Sequence, residues 1–278
     1  MDILNALIMG LVQGLAEFLP ISSSGHLEIF REILGLDLSG EESLEFDVVL
    51  HIATVLSTIV VLWHEFVPLV TSFFCFKRDN NFHTVVKILI SCIPVGIVGL
   101  CFKDVIESFF GTDLTMVGIC LLVTAALLSF SYFFRTRPLD DAPKGKQPYQ
   151  PRDITYLDAF IIGCAQAIAV LPGLSRSGTT IATGIIIGDK RAQVARFSFL
   201  MVIIPILGQA VLDIKDYITD PAATVMQSIG WQPLLAGFLT AFIVGCIACR
   251  WMIEIVKKGK LIWFAVYCLA AGILCIIY

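Results

Sequence analysis

Residues 13–26 read QGLAEFLPISSSGH. An apolar helical stretch over 3–21 runs into a proline, three serines and a glycine. Pro and Gly interrupt helices, and broken backbone at membrane depth is tolerated only where protein buries it or where it lines a polar cavity. The same arrangement returns in the second half, where the apolar stretch 154–171 leads into LPGLSRSG. Residues 1–36 and 154–190 are therefore expected to form two re-entrant helical hairpins rather than full spans.

Composition identifies the solvent. Of 278 residues, 57% are hydrophobic and 15% charged, with mean hydropathy +0.87. A soluble domain runs about 45–50% apolar and roughly 25% charged, so a soluble enzyme, a disordered chain and a secreted disulfide scaffold are all disfavoured. A net charge of −4 is too balanced to argue for a polyanion, and no nucleic-acid partner is expected. Most of the nine cysteines lie in apolar runs, and small apolar filler is their expected role. The opening MDILNALIMG lacks the basic n-region of a cleavable signal, so targeting is expected to rest on the membrane segments themselves.

Six further stretches read as full spans: 46–63, 85–102, 114–134, 195–212, 234–252 and 261–278. A polar linker, 135–153, divides the chain into a first repeat (1–134) and a second (154–278). Sliding the chain by 153 residues aligns 6–25 with 159–178 without a gap, with eight of 20 positions identical, among them Gln13/Gln166, Ser22/Ser175, Ser24/Ser177 and Gly25/Gly178. One hairpin plus three spans per half is an odd number of crossings, which inverts one repeat relative to the other, as in many transporter folds. The expected fold is an all-α polytopic membrane protein built as an inverted repeat.

Charge placement orients it. Counting crossings from the N-terminus puts thirteen Lys and Arg on one face, including Lys77, Arg78, Lys190, Arg191 and Lys257. Three fall on the other, Arg31, Lys103 and Lys215, beside the acidic segments 37–45 and 104–113. Basic loops stay cytoplasmic. Both termini and the first hairpin then belong to the outer face, the second hairpin enters from the cytoplasm, and the two tips are expected to meet near the midplane.

Four ionisable residues stand where hydrocarbon should exclude them: Glu17, His26, Arg176 and Arg196. Arg196 follows a basic helix end and reads as a snorkelling side chain or a structural ion pair. Arg176, flanked by Ser175, Ser177 and Gly178, offers a guanidinium fork, hydroxyls and turn amides that suit a phosphate. A helix beginning there, near Thr179 and Thr180, would add its dipole. The opposing tip, Ser22–Ser23–Ser24–Gly25–His26, supplies hydroxyl nucleophiles beside an imidazole, and Glu17 is a carboxylate able to orient that imidazole, deprotonate it or bind a divalent cation. At the repeat offset Glu17 faces Val170, Ser23 faces Arg176 and His26 faces Thr179. One half keeps acid–base chemistry and the other charge recognition, a division that serves hydrolysis better than carriage. Glu45, Asp47 and His51, at the outer end of the first full span, read as a solvated rim.

QGLAEFLPISSSGH (13–26) and PGLSRSGTTIATG (172–184) are similar to the two signature motifs of the bacitracin-resistance family of undecaprenyl-diphosphate phosphatases, and the likeness in layout extends over the whole chain. The resemblance implies an integral enzyme of the bacterial plasma membrane that hydrolyses a polyprenyl diphosphate to the monophosphate carrier of cell-wall synthesis, with its site open outwards. It implies catalytic roles for Glu17, Ser23, His26 and Arg176. Ser22, Ser24, Gly25, Ser175, Ser177, Gly178 and Thr180 are the substrate-binding candidates. Ser23 is the favoured nucleophile with His26 as its base; direct attack by His26 and activation of water stay open. The family pattern E-G-x-x-E-F has a second glutamate one turn before Glu17, where this chain has Gln13. A Mg²⁺ or Ca²⁺ ion on Glu17 with Gln13 is the cofactor expectation, and a homodimer is left open. A flippase or transporter is the competing reading. A phosphatidic-acid-phosphatase-type enzyme shares Ser24–Gly25–His26 but needs a K-x₆-R-P element, and Arg137–Pro138 lacks the upstream lysine.

Overall fold

The computed structural model describes residues 1–36, 40–102, 114–135, 151–219 and 229–278, with the side chains of 40–45, 134–135 and 212–219 left aside. Most of the linker, the acidic segment 104–113, residues 37–39 and the side chains of 40–45, Glu45 among them, thus lie outside the described residues. Those described fold into helices joined by short breaks: α1 Ile3–Ala16, α2 Ser23–Leu34, α3 Gly40–Val61, α4 Trp63–Phe74, α5 Asn80–Cys101, α6 Leu114–Arg135, α7 Tyr156–Ile168, α8 Arg176–Ile187, α9 Arg191–Met201, α10 Ile203–Thr219, α11 Trp231–Lys257 and α12 Ile262–Ile277.

Among the described residues, four helical stretches are long and apolar enough to cross a membrane: Asn80–Cys101, Leu114–Phe133, Arg191–Val211 and Trp231–Lys257. Near the expected end of the first span at residue 63 the chain turns by 90°, from Phe46–Val61 into a further helix, Trp63–Phe74. This second arm, α4, escaped the sequence reading because His64 and Glu65 interrupt the apolar run. The last helix, α12, has 16 residues, about 24 Å at 1.5 Å per residue, short of a ~30 Å hydrocarbon core. Cys246 and Cys249 stand in C-x-x-C spacing on α11, a pair that the filler reading of the cysteines passes over; both are free thiols on an unbroken helix.

Apolar faces point both ways, as a lipid solvent allows. On α1, Leu4, Leu7, Leu11 and Leu15 are exposed, whereas Ala6, Met9, Val12 and Gln13 are buried. The buried face lies along α11, and glycines set the closeness of the fit. A methyl group on Gly14 would stand 2.8 Å from the Ala241 carbonyl oxygen, and one on Gly10 would strike that of Gly237. Without a hydrophobic driving force between helices in lipid, such small-residue contacts carry the association. The second half repeats the device. There α7 lies along α5, and a methyl on Gly163 would strike the Ser91 carbonyl. Each first hairpin helix therefore packs on a helix of the opposite half, while α6 and α12 pair with each other.

Candidate active site

The helix pairs α1–α2 and α7–α8 break in the same way. After α1 the chain passes through Pro20 and restarts at Ser23; after α7 it passes Pro172 and Gly173 (φ +87°) and restarts at Arg176. Each new helix is capped by a serine whose Oγ accepts from a glycine amide three residues on: Gly25 N to Ser22 at 3.2 Å, and Gly178 N to Ser175 at 3.0 Å. Such caps satisfy one orphan donor of the first turn and leave the others facing outward. Ser22 sits at φ +72°, a conformation costly for a residue with a side chain. Its carbonyl accepts from both the His26 amide (3.1 Å) and His26 Nδ1 (2.8 Å).

The two breaks touch. Ser177 Oγ donates to the Leu19 carbonyl at 3.2 Å. A methyl group on Gly25 would lie 2.9 Å from Gly173 Cα, and one on Gly178 would lie 3.2 Å from Pro20 Cβ. At Gly25 backbone meets backbone, and at Gly178 the Pro20 ring and the capping Ser175 side chain leave little room for a side chain.

Glu17, at the C-cap of α1, is the hub. Its Oε2 accepts from Ser23 Oγ at 2.7 Å and from Gln13 Nε2 at 3.0 Å, and His51 Nε2 faces the same atom at 3.5 Å. Its Oε1 stands 3.6 Å from Arg176 Nη1. Arg176 Nη1 is buried with no hydrogen-bond partner among the described residues. One carboxylate thus joins the serine of the first tip to the guanidinium of the second.

His26 lies apart from that hub. Its Nδ1 donates to the Ser22 carbonyl, since a carbonyl oxygen only accepts, and its Nε2 is held 2.7 Å from the Tyr267 hydroxyl on α12. The rings stack at 5.6 Å. The structure therefore brings together Glu17, Ser23 and Arg176 and does not bring His26 to Ser23: both ring nitrogens are engaged elsewhere.

A different imidazole takes the place beside Glu17. His51, read from sequence as rim, donates from Nδ1 to the Asp47 carbonyl at 2.7 Å and so turns Nε2 towards the carboxylate. A signal was there to be read. Asp47, His51, Thr54 and Thr58 form an i, i+4, i+7, i+11 polar stripe within the apolar FDVVLHIATVLSTIVV, one face of a helix. Asp47 itself pairs with Arg31, which also holds Glu28 at 3.0 Å. Arg196 pairs with Glu65 on α4 at 2.6 Å.

Beside the hub lies a small cavity lined by Glu17, Arg176, Ser177, Thr54, Thr58, Thr180 and Ser198 together with Phe18, Val55, Phe199, Val202 and Ile206. A lining that combines charge, hydroxyls and hydrocarbon suits an amphiphilic anion.

The donors at Glu17 do not make a cation site by themselves. Gln13 turns its amide nitrogen, not its carbonyl, towards the carboxylate, and Arg176 competes for the other oxygen. Hard divalent cations take six or more oxygens, and one carboxylate supplies few.

Residues 6–274 match the family described as bacitracin resistance protein BacA. The chain is 52% identical over 277 residues to the undecaprenyl-diphosphatase of Bacteroides fragilis, covering 100% of this chain and 98% of that one. It is 52% identical over 277 residues to that of Bacteroides thetaiotaomicron (100% and 99%), and 44% identical over 278 residues to that of Christiangramia forsetii (100% and 98%). Apolar spans, paired serine-capped breaks and a match running almost end to end agree: this multi-pass membrane chain belongs to the BacA family.

Proposed function

We propose that the chain hydrolyses a polyprenyl diphosphate, undecaprenyl diphosphate above all, to the lipid monophosphate and inorganic phosphate. The names of its relatives give the substrate class. The single observation that carries the chemistry is the Glu17 carboxylate, with Ser23 Oγ at 2.7 Å on one oxygen and Arg176 at 3.6 Å from the other.

In this reading Ser23 Oγ attacks the terminal phosphorus and Glu17 Oε2 takes its proton. Arg176 and the first-turn amides of α8 stabilise the charge gathering on the phosphoryl oxygens. As the bond to the bridging oxygen breaks, Glu17 passes the proton to the leaving lipid monophosphate. The freed carboxylate then takes a proton from the water that attacks the phosphoserine and returns it to Ser23 Oγ as inorganic phosphate leaves. His51 holds Nε2 against the same carboxylate oxygen and is placed to share that proton. His26 is a positioning residue: locked between the Ser22 carbonyl and Tyr267, it fixes the strained turn from which Ser23 projects. A divalent cation enters this proposal only as a companion of the diphosphate, with Glu17 as the carboxylate it meets, and no step is assigned to it.

The exchange of packing partners between halves (α1 on α11, α7 on α5) and the matching serine caps support an inverted repeat with the two breaks meeting inside the membrane. With the basic loops cytoplasmic, the hydrolysis belongs to the outer side of the bacterial inner membrane, where it returns the lipid carrier to cell-wall synthesis.

The test is phosphate release from a polyprenyl diphosphate by purified protein in detergent, with and without EDTA. Arg176→Ala and Ser23→Ala are expected to stop release while leaving the melting temperature intact. Lipid movement across liposomes with no phosphate released would favour a carrier instead.

A further inference from the structure

A serine inside a helix ordinarily donates its hydroxyl to the carbonyl one turn back. The hydroxyls around the cavity do so. Thr54 donates to the His51 carbonyl at 2.9 Å, Thr58 to that of Thr54 at 3.0 Å, and Thr180 to that of Arg176 at 2.9 Å. Ser177 donates across to Leu19. Ser198 does not. It is 5% exposed, flanked by the buried Phe197 and Phe199, and its Oγ has no hydrogen-bond partner among the described residues. A buried hydroxyl without a partner costs free energy that a well-packed helix has no reason to bear. Of the side chains lining the cavity, Ser198 and Arg176 are therefore the donors left without a protein acceptor at hydrogen-bonding distance.

The position of Ser198 along the cavity says what it meets. Ser198, Val202 and Ile206 line it at i, i+4 and i+8, a single stripe on the α9–α10 face. The stripe begins with the hydroxyl of Ser198, which shares the cavity with Arg176, and continues as hydrocarbon through Val202 and Ile206, with Leu207 and Val211 exposed further along α10. A diphosphate whose terminal phosphorus lies at Ser23 has its second phosphate further along, and its prenyl chain must leave through an apolar wall.

We propose that Ser198 binds the lipid-linked phosphate of the substrate, the one retained in the product, and marks the boundary between headgroup and isoprenoid subsites. The inference rests on the diphosphatase reading for its ligand but not on turnover. A phosphate oxygen satisfies the orphan hydroxyl, and Val202 and Ile206 receive the first isoprene unit.

The experiment measures binding of farnesyl monophosphate and of inorganic phosphate to the full chain in detergent by calorimetry, for the unmodified protein and for Ser198→Ala. Loss of the hydroxyl is expected to weaken farnesyl monophosphate about tenfold or more, as for a hydrogen bond to a charged acceptor. Inorganic phosphate, which occupies the terminal site at Arg176, should keep its affinity. The melting temperature should hold or rise, because an unpartnered polar group has been removed. In turnover the same variant should raise KM far more than it lowers kcat. Unchanged farnesyl monophosphate affinity in Ser198→Ala, or equal weakening of both ligands, overturns the assignment. Weakened binding in a protein that releases no phosphate from a polyprenyl diphosphate would sustain the Ser198 site and overturn the hydrolase reading instead.

Discussion

Ser23 donates its hydroxyl to Glu17 Oε2 at 2.7 Å, so the proposed nucleophile and its proposed base are paired before any substrate arrives. Glu17→Gln keeps the shape of the side chain and removes the base. Turnover is expected to fall by at least about 10²-fold, the usual contribution of a positioned proton acceptor. Ser23→Ala should fall at least as far. Phosphate release from polyprenyl diphosphate measures both, and a Glu17→Gln variant with near-normal kcat would remove the carboxylate from the chemistry.

The two histidines should separate cleanly. His51→Gln takes Nε2 away from Glu17 and is expected to lower kcat about tenfold or more with little change in KM. Tyr267→Phe removes the partner of His26 Nε2 but leaves the Ser22 carbonyl bond in place. A loss of about 1 kcal/mol in stability and a change of less than about threefold in kcat are expected. A larger kcat effect from Tyr267→Phe than from His51→Gln would reverse the roles assigned to the two imidazoles.

Gln13 Nε2 lies 3.0 Å from Glu17 Oε2, one helical turn away. Gln13→Glu would replace that donor with a second carboxylate and create an oxygen pair able to share a cation. The variant should show a steeper dependence on added Mg²⁺ or Ca²⁺ than the unmodified protein, and a greater loss in EDTA. Identical metal titrations for the two proteins would show that position 13 has no bearing on the cation.

Helix packing can be tested away from the site. Gly163→Ala places a methyl on the Ser91 carbonyl, whereas Gly96 has nothing within 4 Å of a methyl built on it. Gly163→Ala is expected to cost about 1–3 kcal/mol or more through overpacking. Gly96→Ala should be neutral or stabilising by up to about 1 kcal/mol, as for an alanine replacing a helical glycine. Thermal unfolding in detergent compares the pair.

Asp189, in the loop between α8 and α9, has both carboxylate oxygens buried without hydrogen-bond partners among the described residues, with Arg152 Nε 3.8 Å away. Burial, reinforced by the neighbouring Asp158 carboxylate, pushes its pKa up to about 6. Between about pH 4, where the unfolded chain releases this proton, and about pH 6, the folded chain still holds it. The folded state then binds more protons than the unfolded one, so stability falls as pH rises through that window and levels off above it. The change is up to about 3 kcal/mol. Asp189→Asn should flatten that part of the stability profile. A slope that survives the substitution would assign it to another group.

The letters alone determined the solvent, the helical class and the two breaks. Apolar run length and the position of Pro, Ser and Gly are local properties, set by the cost of unsatisfied backbone in hydrocarbon. For the same reason the serine pair and Arg176 stood out as tip residues. The first full span ends within two residues of its expected limit, but the arm that follows the bend at residue 62 was not legible, because α4 carries charges that a span would exclude. Which groups of the site meet was decided only in three dimensions. Glu17 and His26 are nine residues apart and looked like partners, yet the turn at Ser22 sends the imidazole to Tyr267, 241 residues away in sequence. His51 then arrives beside Glu17 from another helix. A side chain's chemistry is written in its own letter, but its hydrogen-bond partner depends on the direction in which the backbone aims it and on which helix packs opposite, and those are settled by tertiary contacts.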